Sequence, residues 1–181
     1  MAEISDEKLV SRCKAGDLNA FDQLLLKYQK PLYNSCLRLV RDEEDAQDVV
    51  QIVFLKAFEN LATFDTNRRF FSWIYKIMVN ESLNNVARRK PQVSADEFVV
   101  SNEPNPAENF VSGQARKRLD EALMFLKPET RAVVVLKYFA DLSYFELGYV
   151  FDLPEKTVKS RLYDARRKLC AILTGESVEE S

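Results

Sequence analysis

The chain of 181 residues has no histidine, and only 4 glycines and 3 cysteines. The lack of histidine removes the commonest general base and a frequent zinc ligand. The cysteines, Cys13, Cys36 and Cys170, are widely spaced, and we interpret them as small buried residues rather than a metal or redox motif. No glycine-rich phosphate loop, nucleophile motif or paired carboxylates stand out. We therefore expect no catalytic residues, no metal and no cofactor, in a protein that is not an enzyme.

Long apolar runs are also missing. No stretch approaches the roughly 18 apolar residues that indicate a membrane-spanning helix. The N-terminal sequence MAEISDEKLV is acidic, unlike a secretory signal. We therefore expect no membrane insertion and a cytoplasmic protein.

The fold class follows from the scarcity of glycine and proline, the 46% hydrophobic content and the lack of alternating strand patterns, which together favour an all-α fold. Two small helical domains are predicted, at residues 1–91 and 114–181, the second with four helices. The linker between them, 92–113, contains two prolines and four acidic residues but no basic one. An apolar patch within it, Phe98, Val99 and Val100, is a candidate docking segment.

The net charge of -2 conceals an asymmetry. Four acidic residues lie in 92–111 and three in 175–181, and without these seven the rest of the chain has net charge +5. The helical parts are therefore basic, which is compatible with a nucleic-acid partner.

The first domain is predicted to begin with a short helix at about 6–14. Pro31 is predicted to open a third helix, because proline suits a first helical turn. The stretch 42–61 is the central helix, and residues at spacings of three and four form its core face. These residues are Ala46, Val49, Val50, Val53, Phe54, Ala57, Phe58 and Leu61.

The opposite face of the central helix carries Asp48, Gln51, Ile52, Leu55 and Glu59. Two aliphatic residues among polar ones indicate a docking surface for another protein. The pattern is equally compatible with Ile52 and Leu55 packing on another part of the same domain.

Residues 62–69 are predicted to form a loop, followed by a helix at about 70–89. Trp73, Ile77, Asn80 and Asn84 lie along one face of this helix, and basic residues follow at its end. Aromatic rings stack on unpaired bases, amides read base edges and cations attract phosphate, so the face is typical of single-strand binding. The alternative is an ordinary core stripe with a basic C-terminus that suits the helix dipole.

In the second domain, Ser143 and Glu146 form a predicted capping box, and Pro154 begins the last helix. A short helix, a tight turn and a second helix with a basic outer face indicate a helix-turn-helix, whose second helix enters the major groove. An ordinary helical hairpin with a solvated basic face is the alternative. The outer face consists of Lys156, Lys159, Ser160, Tyr163 and Arg167, and the inner stripe of Val158, Leu162, Ala165, Leu169 and Ile172.

Three segments resemble a known family. DAQDVVQIVFLKAFENLATF and FFSWIYKIMVNESLNNVARRK resemble region 2 of the extracytoplasmic-function (ECF) sigma factors, which are bacterial transcription initiation factors, and DLSYFELGYVFDLPEKTVKSRLYDARRKL resembles their region 4. With the preceding helices, the resemblance covers nearly the whole chain. It implies a specificity subunit that binds core RNA polymerase, recognises minus 35 and minus 10 promoter elements, opens the DNA and is held off by an anti-sigma factor.

The resemblance also implies site residues. The melted minus 10 strand would be bound by Phe64, Asn67, Arg68, Trp73, Ile77, Asn80, Asn84 and Arg88. The minus 35 duplex would be bound by Lys156, Thr157, Lys159, Ser160, Arg161, Tyr163 and Arg167. Docking on the polymerase would use Asp45, Asp48, Gln51, Ile52 and Leu55.

The sequence departs from the family pattern at four positions. Ile52 and Phe145 stand where acidic residues are usual, and Asp164 stands where a basic one is usual. Asp152 replaces the usual glycine of the helix-turn-helix turn. Aspartate tolerates a left-handed backbone better than most residues, so we expect the turn to survive.

Two rival functions remain compatible with parts of the sequence. A stand-alone helix-turn-helix regulator would not need the face of Trp73 and Asn80. A helical adaptor that binds only proteins would leave the basic outer face of the last helix without a purpose.

Overall fold

The computed structural model describes residues 4–89 and 109–175. Within these ranges the chain forms α-helices and no strand, which confirms the all-α prediction. The helices are α1 (Asp6–Lys14), α2 (Leu18–Val40), α3 (Glu43–Asn60), α4 (Phe70–Arg88), α5 (Asn109–Leu123), α6 (Pro128–Tyr138), α7 (Tyr144–Phe151) and α8 (Glu155–Thr174), with a 3-10 turn at Leu61–Thr63. None of the described helices has the length and apolar content needed to cross a membrane.

The helices divide into an N-terminal domain, α1–α4, and a C-terminal domain, α5–α8. Helix α5 begins at Asn109, whereas the second domain was expected to start near residue 114. The predicted apolar patch of the linker, at residues 98–100, and the acidic C-terminal tail from residue 176 lie outside the described residues.

Local capping explains two helix starts. The Asp17 carboxylate accepts a hydrogen bond from the backbone N–H of Ala20 at 3.3 Å, and Asp42 accepts one from the N–H of Asp45 at 2.9 Å. Each satisfies an N–H group that a helix leaves unpaired in its first turn. The bond from Asp45, followed by the Arg89 guanidinium, lowers the pKa of Asp42.

The prediction that Pro31 opens a helix is wrong. Helix α2 runs without a break from Leu18 to Val40, with Pro31 inside it. Proline cannot donate the intrahelical hydrogen bond and crowds the preceding turn. Tyr28 and Leu32, on either side of it, are buried, so tertiary packing holds the helix together across the proline.

The core of the N-terminal domain lies between α2, α3 and α4, with α1 against α2. An aromatic cluster fills the region where α4 begins: the Phe70 ring lies 5.5 Å from Tyr28 and 6.0 Å from Phe64. The central helix turns its predicted stripe inward, with one exception. Phe58 is 51% exposed, because it lies at the margin of the stripe, where its ring packs against the half-buried Phe21 with the ring centres 5.1 Å apart.

In the C-terminal domain, α6 is buried along residues 131–136 and packs on α7 and α8. The inner stripe of α8 is buried as predicted, except for Ile172, which is 37% exposed. Ile172 lies in the last turn of α8, one turn beyond Leu169, where the burial of the stripe ends.

The two domains are in contact, α4 against α7 and α2 against α6. A buried ion pair joins them: Arg38 Nε lies 3.3 Å from Asp120 Oδ1, and the two side chains are 2% and 5% exposed. The Arg38 guanidinium also lies 4.1 Å from the centre of the Phe139 ring. The sequence predicts the two domains and the linker, and it makes no prediction about a contact between the domains.

Candidate nucleic-acid interface

The helix face that carries Trp73, Ile77, Asn80 and Asn84 is here called the polar face of α4. A cavity of about 480 Å³ lies beside it. Phe64, Arg68, Trp73, Ile77 and Asn80 line it, all of them predicted to bind the minus 10 strand. Trp73 and Ile77 are half-buried and Asn80 is exposed. The face therefore packs partly on its own domain and still presents an aromatic surface, an amide and a cation to one space.

Phe64 differs from the other wall residues because it is 6% exposed. Its ring lies 4.8 Å from that of Trp73 and 6.0 Å from that of Phe70. Its carbonyl accepts a hydrogen bond from Lys14 Nζ at 2.7 Å. Phe64 thus supports Trp73 from the core side and holds the turn against α1.

The turn before α4 is organised by Asp65. Its Oδ1 accepts hydrogen bonds from the backbone N–H of Asn67 at 3.0 Å and from the Asn67 side-chain amide at 2.9 Å. The predicted strand-binding amide of Asn67 is therefore engaged within the turn. Arg68 is exposed at the edge of the cavity, 3.7 Å from the Asp65 carboxylate.

Asn84 and Arg88 are exposed farther along α4 and do not line the cavity. They extend the polar face of α4 toward its C-terminus. Of the eight predicted strand-binding residues, five therefore line the cavity, Asn84 and Arg88 extend away from it along α4, and Asn67 is held in the turn before α4.

The cavity also contains residues that the sequence did not single out. Lys56 of α3 and Glu81 of α4 form an ion pair of 2.6 Å at its wall. Helical periodicity could have placed Lys56 beside Asn60, but no charge pattern distinguished it. Tyr149 of the C-terminal domain also lines the cavity, and only the packing of the two domains brings it there.

The outer face of α3 is not covered by any of the described residues. Asp48, Gln51, Ile52 and Leu55 are exposed, with Ile52 at 40% and Leu55 at 63%. The two aliphatic residues therefore do not pack on the described part of their own domain, residues 4–89. Phe58, exposed one turn further on, enlarges the apolar surface.

Asp45 is in a different position from the rest of the predicted docking set. It is half-buried, and its carboxylate pairs with Arg89 at the end of α4. Asp42 binds the same guanidinium at 3.0 Å. Asp45 therefore ties the start of α3 to the end of α4, and any external contact would have to compete with Arg89.

The outer face of α8 consists of exposed side chains, as predicted: Lys156, Lys159, Ser160, Tyr163 and Arg167. Thr157 and Arg161 are half-buried at its margin. The Lys159 ammonium lies 5.1 Å from the centre of the Tyr144 ring and 3.8 Å from Glu155. The stripe is cationic and aromatic over the first two turns of the helix, the part that reaches base edges in a major groove.

The connection between α7 and α8 has the geometry of a helix-turn-helix. The capping box is confirmed, with Glu146 N–H donating to Ser143 Oγ at 3.2 Å and Ser143 N–H to Glu146 Oε2 at 2.9 Å. Asp152 has the expected left-handed backbone, φ 52°. A Cβ at Gly148 would lie 2.8 Å from the Leu153 carbonyl oxygen, so the turn needs glycine there.

Two family models match the chain. The one described as Sigma-70 region 2 matches residues 24–92, and the one described as Sigma-70, region 4 matches residues 116–169. The chain is similar to the ECF RNA polymerase sigma factor SigW of Bacillus subtilis, with 29% identity over 92% of this chain and 96% of that protein. It is similar to the ECF RNA polymerase sigma-E factor of Escherichia coli K12, with 32% identity over 92% of this chain and 93% of that protein.

A solved structure shows the same fold over both domains. It is the structure of CnrH in complex with the cytosolic domain of CnrY, with a TM-score of 0.75 and 27% identity. The match covers 95% of this chain and 99% of that one.

Proposed function

The chain belongs to the ECF RNA polymerase sigma factors, and from this we propose that it directs core polymerase to a specific set of promoters. Sigma factors are initiation factors and not themselves catalysts. In this proposal the polymerase supplies the chemistry, and the chain acts in the cytoplasm as a specificity subunit. The observation that supports the division of roles is the cavity beside α4, where Trp73, Asn80 and Arg68 meet.

We assign three segments to three tasks. Residues 1–91 dock on the polymerase and bind the minus 10 element, residues 92–113 connect the domains, and residues 114–181 bind the minus 35 element. This assignment requires one surface for protein and one for unpaired DNA on the N-terminal domain, and α3 and α4 offer them on different faces.

At the minus 10 element, an unpaired base enters the cavity beside α4 and stacks on Trp73. Stacking of this kind contributes roughly 1–3 kcal/mol per base. Asn80, exposed at the cavity edge, is placed to read a base edge, since an amide both donates and accepts hydrogen bonds. Arg68 attracts the phosphate, and Asn84 and Arg88 guide the strand along α4.

Docking on polymerase uses the outer face of α3. The exposed aliphatic pair Ile52 and Leu55 forms an apolar centre, and Asp48 and Gln51 form a polar rim, which is the usual anatomy of a protein interface. The aliphatic Ile52, in place of the usual acid, makes this centre larger.

At the minus 35 element, α8 enters the major groove of intact duplex. Lys159, Ser160 and Tyr163 face base edges in its first two turns. Arg167 lies a turn later, where a helix leaving the groove approaches phosphate.

An anti-sigma factor is the proposed regulatory partner. CnrH, the structural relative, is in complex with the cytosolic domain of another protein, CnrY. We propose that this chain is held in the same general way by a protein partner until a signal releases it.

Run-off transcription with core polymerase over genomic fragments tests the proposed function. Promoter-dependent transcripts that require the added chain support it. Tight, sequence-specific binding to duplex without polymerase, and no effect on transcription with polymerase, would instead favour a stand-alone regulator.

A pair of matched variants tests the docking face. Leu55→Glu is expected to lose competition for core enzyme with an unchanged melting temperature, since Leu55 is exposed. Leu26→Glu changes another exposed leucine, on α2, and should leave competition normal. Normal competition by Leu55→Glu would refute the docking assignment.

A further inference from the structure

In the ion pairs between the α4 and α7 regions, every cation belongs to one domain and every carboxylate to the other. The N-terminal domain supplies cations and the C-terminal domain supplies carboxylates: Arg69 Nη1 lies 2.7 Å from Glu146 Oε1, and Lys76 Nζ lies 2.6 Å from Asp152 Oδ1. Lys76 also donates to the Tyr149 carbonyl at 3.2 Å. These cations lie on or next to the helix face that the proposed function assigns to the minus 10 strand.

Tyr149 lies between the two carboxylates on α7. Its ring centre is 4.5 Å from the Arg68 guanidinium carbon and 4.8 Å from Lys76 Nζ. The same residue lines the cavity that contains Trp73 and Asn80. An aromatic ring flanked by anionic groups is chemically similar to a base flanked by phosphates, and both attract cations and stack on aromatic surfaces.

We propose that Glu146 and Tyr149 of α7, with Asp152 at its C-terminal cap, form an internal competitor for single-stranded DNA, which engages the cations beside the cavity of the N-terminal domain and forms one wall of that cavity while the two domains are in contact. The proposal rests on the proposed function, because it assumes that this surface binds the melted strand. In the closed form the strand cannot bind Arg68, Arg69 and Lys76 without displacing Tyr149, Glu146 and Asp152 from them.

The closure is selective. The outer face of α8 is exposed while α7 covers α4, so closing blocks single-strand binding and leaves the duplex-binding surface accessible. Separation of the domains is then the step that makes the minus 10 surface available.

The expected size of the effect is moderate. Lys76 and Asp152 are 24% and 77% exposed, and exposed ion pairs and cation–π contacts are individually weak. If only the open form binds the strand, the apparent dissociation constant rises in inverse proportion to the open fraction. Removing one or two contacts should therefore tighten single-strand binding about 3-fold to 10-fold.

A zero-length carbodiimide cross-link measures closure directly in the full-length protein. The reagent activates a carboxylate, and a touching lysine amine displaces the leaving group to form an amide, so Lys76 and Asp152 should yield a cross-linked peptide by mass spectrometry. Lys27 and Asp6, 2.9 Å apart within the N-terminal domain, serve as the internal reference. A random-sequence 12-nucleotide single strand should reduce the first cross-link and leave the second unchanged.

Variants test the same competition through affinity for that oligonucleotide, measured by fluorescence anisotropy. Asp152→Asn removes the charge and keeps a residue that tolerates the left-handed backbone. Tyr149→Leu removes the aromatic face, whereas Tyr149→Phe keeps it and should behave as wild type. Glu121→Gln removes one exposed carboxylate on α5 and controls for the change in net charge.

The proposal predicts about 3-fold to 10-fold tighter single-strand binding by Asp152→Asn and by Tyr149→Leu, with duplex binding matching Glu121→Gln. Single-strand affinity equal to that of Glu121→Gln overturns it, as does a Lys76–Asp152 cross-link that is missing or that saturating oligonucleotide leaves unchanged. Absence of single-strand binding in every variant also overturns it. The proposed function is judged separately, by run-off transcription with polymerase.

Discussion

The two candidate DNA-binding surfaces differ in accessibility. The α4 surface is a cavity with an aromatic wall, and part of that wall, Tyr149, belongs to the other domain. The α8 surface is a convex stripe with its five outward side chains exposed. A site for unpaired bases has to enclose each base, whereas a helix that reads duplex only has to protrude, so the first can be blocked by a neighbouring domain and the second cannot be blocked as easily.

The largest effect is expected from substitutions that remove base contacts from the α4 surface. Asn80→Ala and Trp73→Ala should reduce formation of the melted complex by roughly 1–3 kcal/mol, about 5-fold to 150-fold, through loss of base contacts. Permanganate footprinting with polymerase on duplex promoter measures the loss.

A promoter mismatched across the minus 10 region is the control for folding, and it should rescue part of the defect. Trp73 also packs on Phe64 and Phe70, so Asn80→Ala is the cleaner variant. Equal damage on duplex and mismatched templates would indicate a folding defect instead.

The next largest effect concerns the α8 surface, where residues that read bases can be distinguished from a residue that contacts phosphate. Variants at Ser160 and Tyr163 should change the preferred minus 35 bases by about 1–3 kcal/mol for each good contact. Arg167→Ala should weaken all promoters alike and flatten the salt dependence, because a phosphate contact carries no sequence information. Selection from a promoter library checks both, and shifted minus 10 bases or unshifted minus 35 bases would contradict the division between domains.

Helix α7 packs on both α8 and α4, and a substitution at Gly148 tests how closely α7 approaches the turn before α8. Gly148→Ala should destabilise the folded protein by about 1–3 kcal/mol, because its Cβ collides with the Leu153 carbonyl. Gly113→Ala on α5 is the matched control, since no atom of the described residues lies within 4 Å of a Cβ at that position. That variant should be neutral or gain up to about 1 kcal/mol from helix propensity. Urea denaturation measures both, and equal stabilities would contradict the close approach.

The smallest effect compares thiols in the two domains. Burial raises the pKa of the Cys36 thiol to about 12, whereas Cys170 on α8 is exposed. The interpretation of all three cysteines as buried is therefore wrong for Cys170, which lies outside the buried stripe of α8. Iodoacetamide should label Cys170 first and Cys36 only on unfolding, because the thiolate is the reactive form. Mass spectrometry of the labelled peptides gives the order.

The raised pKa of Cys36 also has a pH signature. Below pH 9 the thiol is protonated in folded and unfolded chains alike, and above it the unfolded chain ionises first. The contribution of Cys36 to stability is thus present below pH 9 and is lost as pH rises toward about 12. Urea melts across this range should show a shallower decline for Cys36→Ala.

The sequence predicted correctly what depends on local signals. The two faces of α3 follow from helical periodicity, the capping box from the spacing of Ser143 and Glu146, and the α7–α8 turn from the tolerance of Asp152 for a left-handed backbone. The errors arose where tertiary packing outweighs such signals. Pro31 is held inside α2 by its buried neighbours, and Phe58 lies too close to the margin of its stripe for spacing alone to decide.

The sequence predicted the part of the candidate site that lies in the N-terminal domain. It did not predict the part that the C-terminal domain contributes. Trp73, Ile77 and Asn80 share a helix face, so their grouping in one cavity follows from the sequence. Tyr149 lies 76 residues after Trp73 along the chain, and no periodicity relates it to α4. Its position depends on the contact between the domains.

The buried pair between Arg38 and Asp120 bears on how that contact responds to heat. Charged groups lose hydration free energy as temperature rises, so the cost of taking this pair out of water falls on warming. The packing of α2 on α6 follows the same trend, because hydrophobic stabilisation weakens on cooling. We expect moderate warming to favour association of the two domains and cooling to favour their separation. The contact between the domains would then depend on temperature.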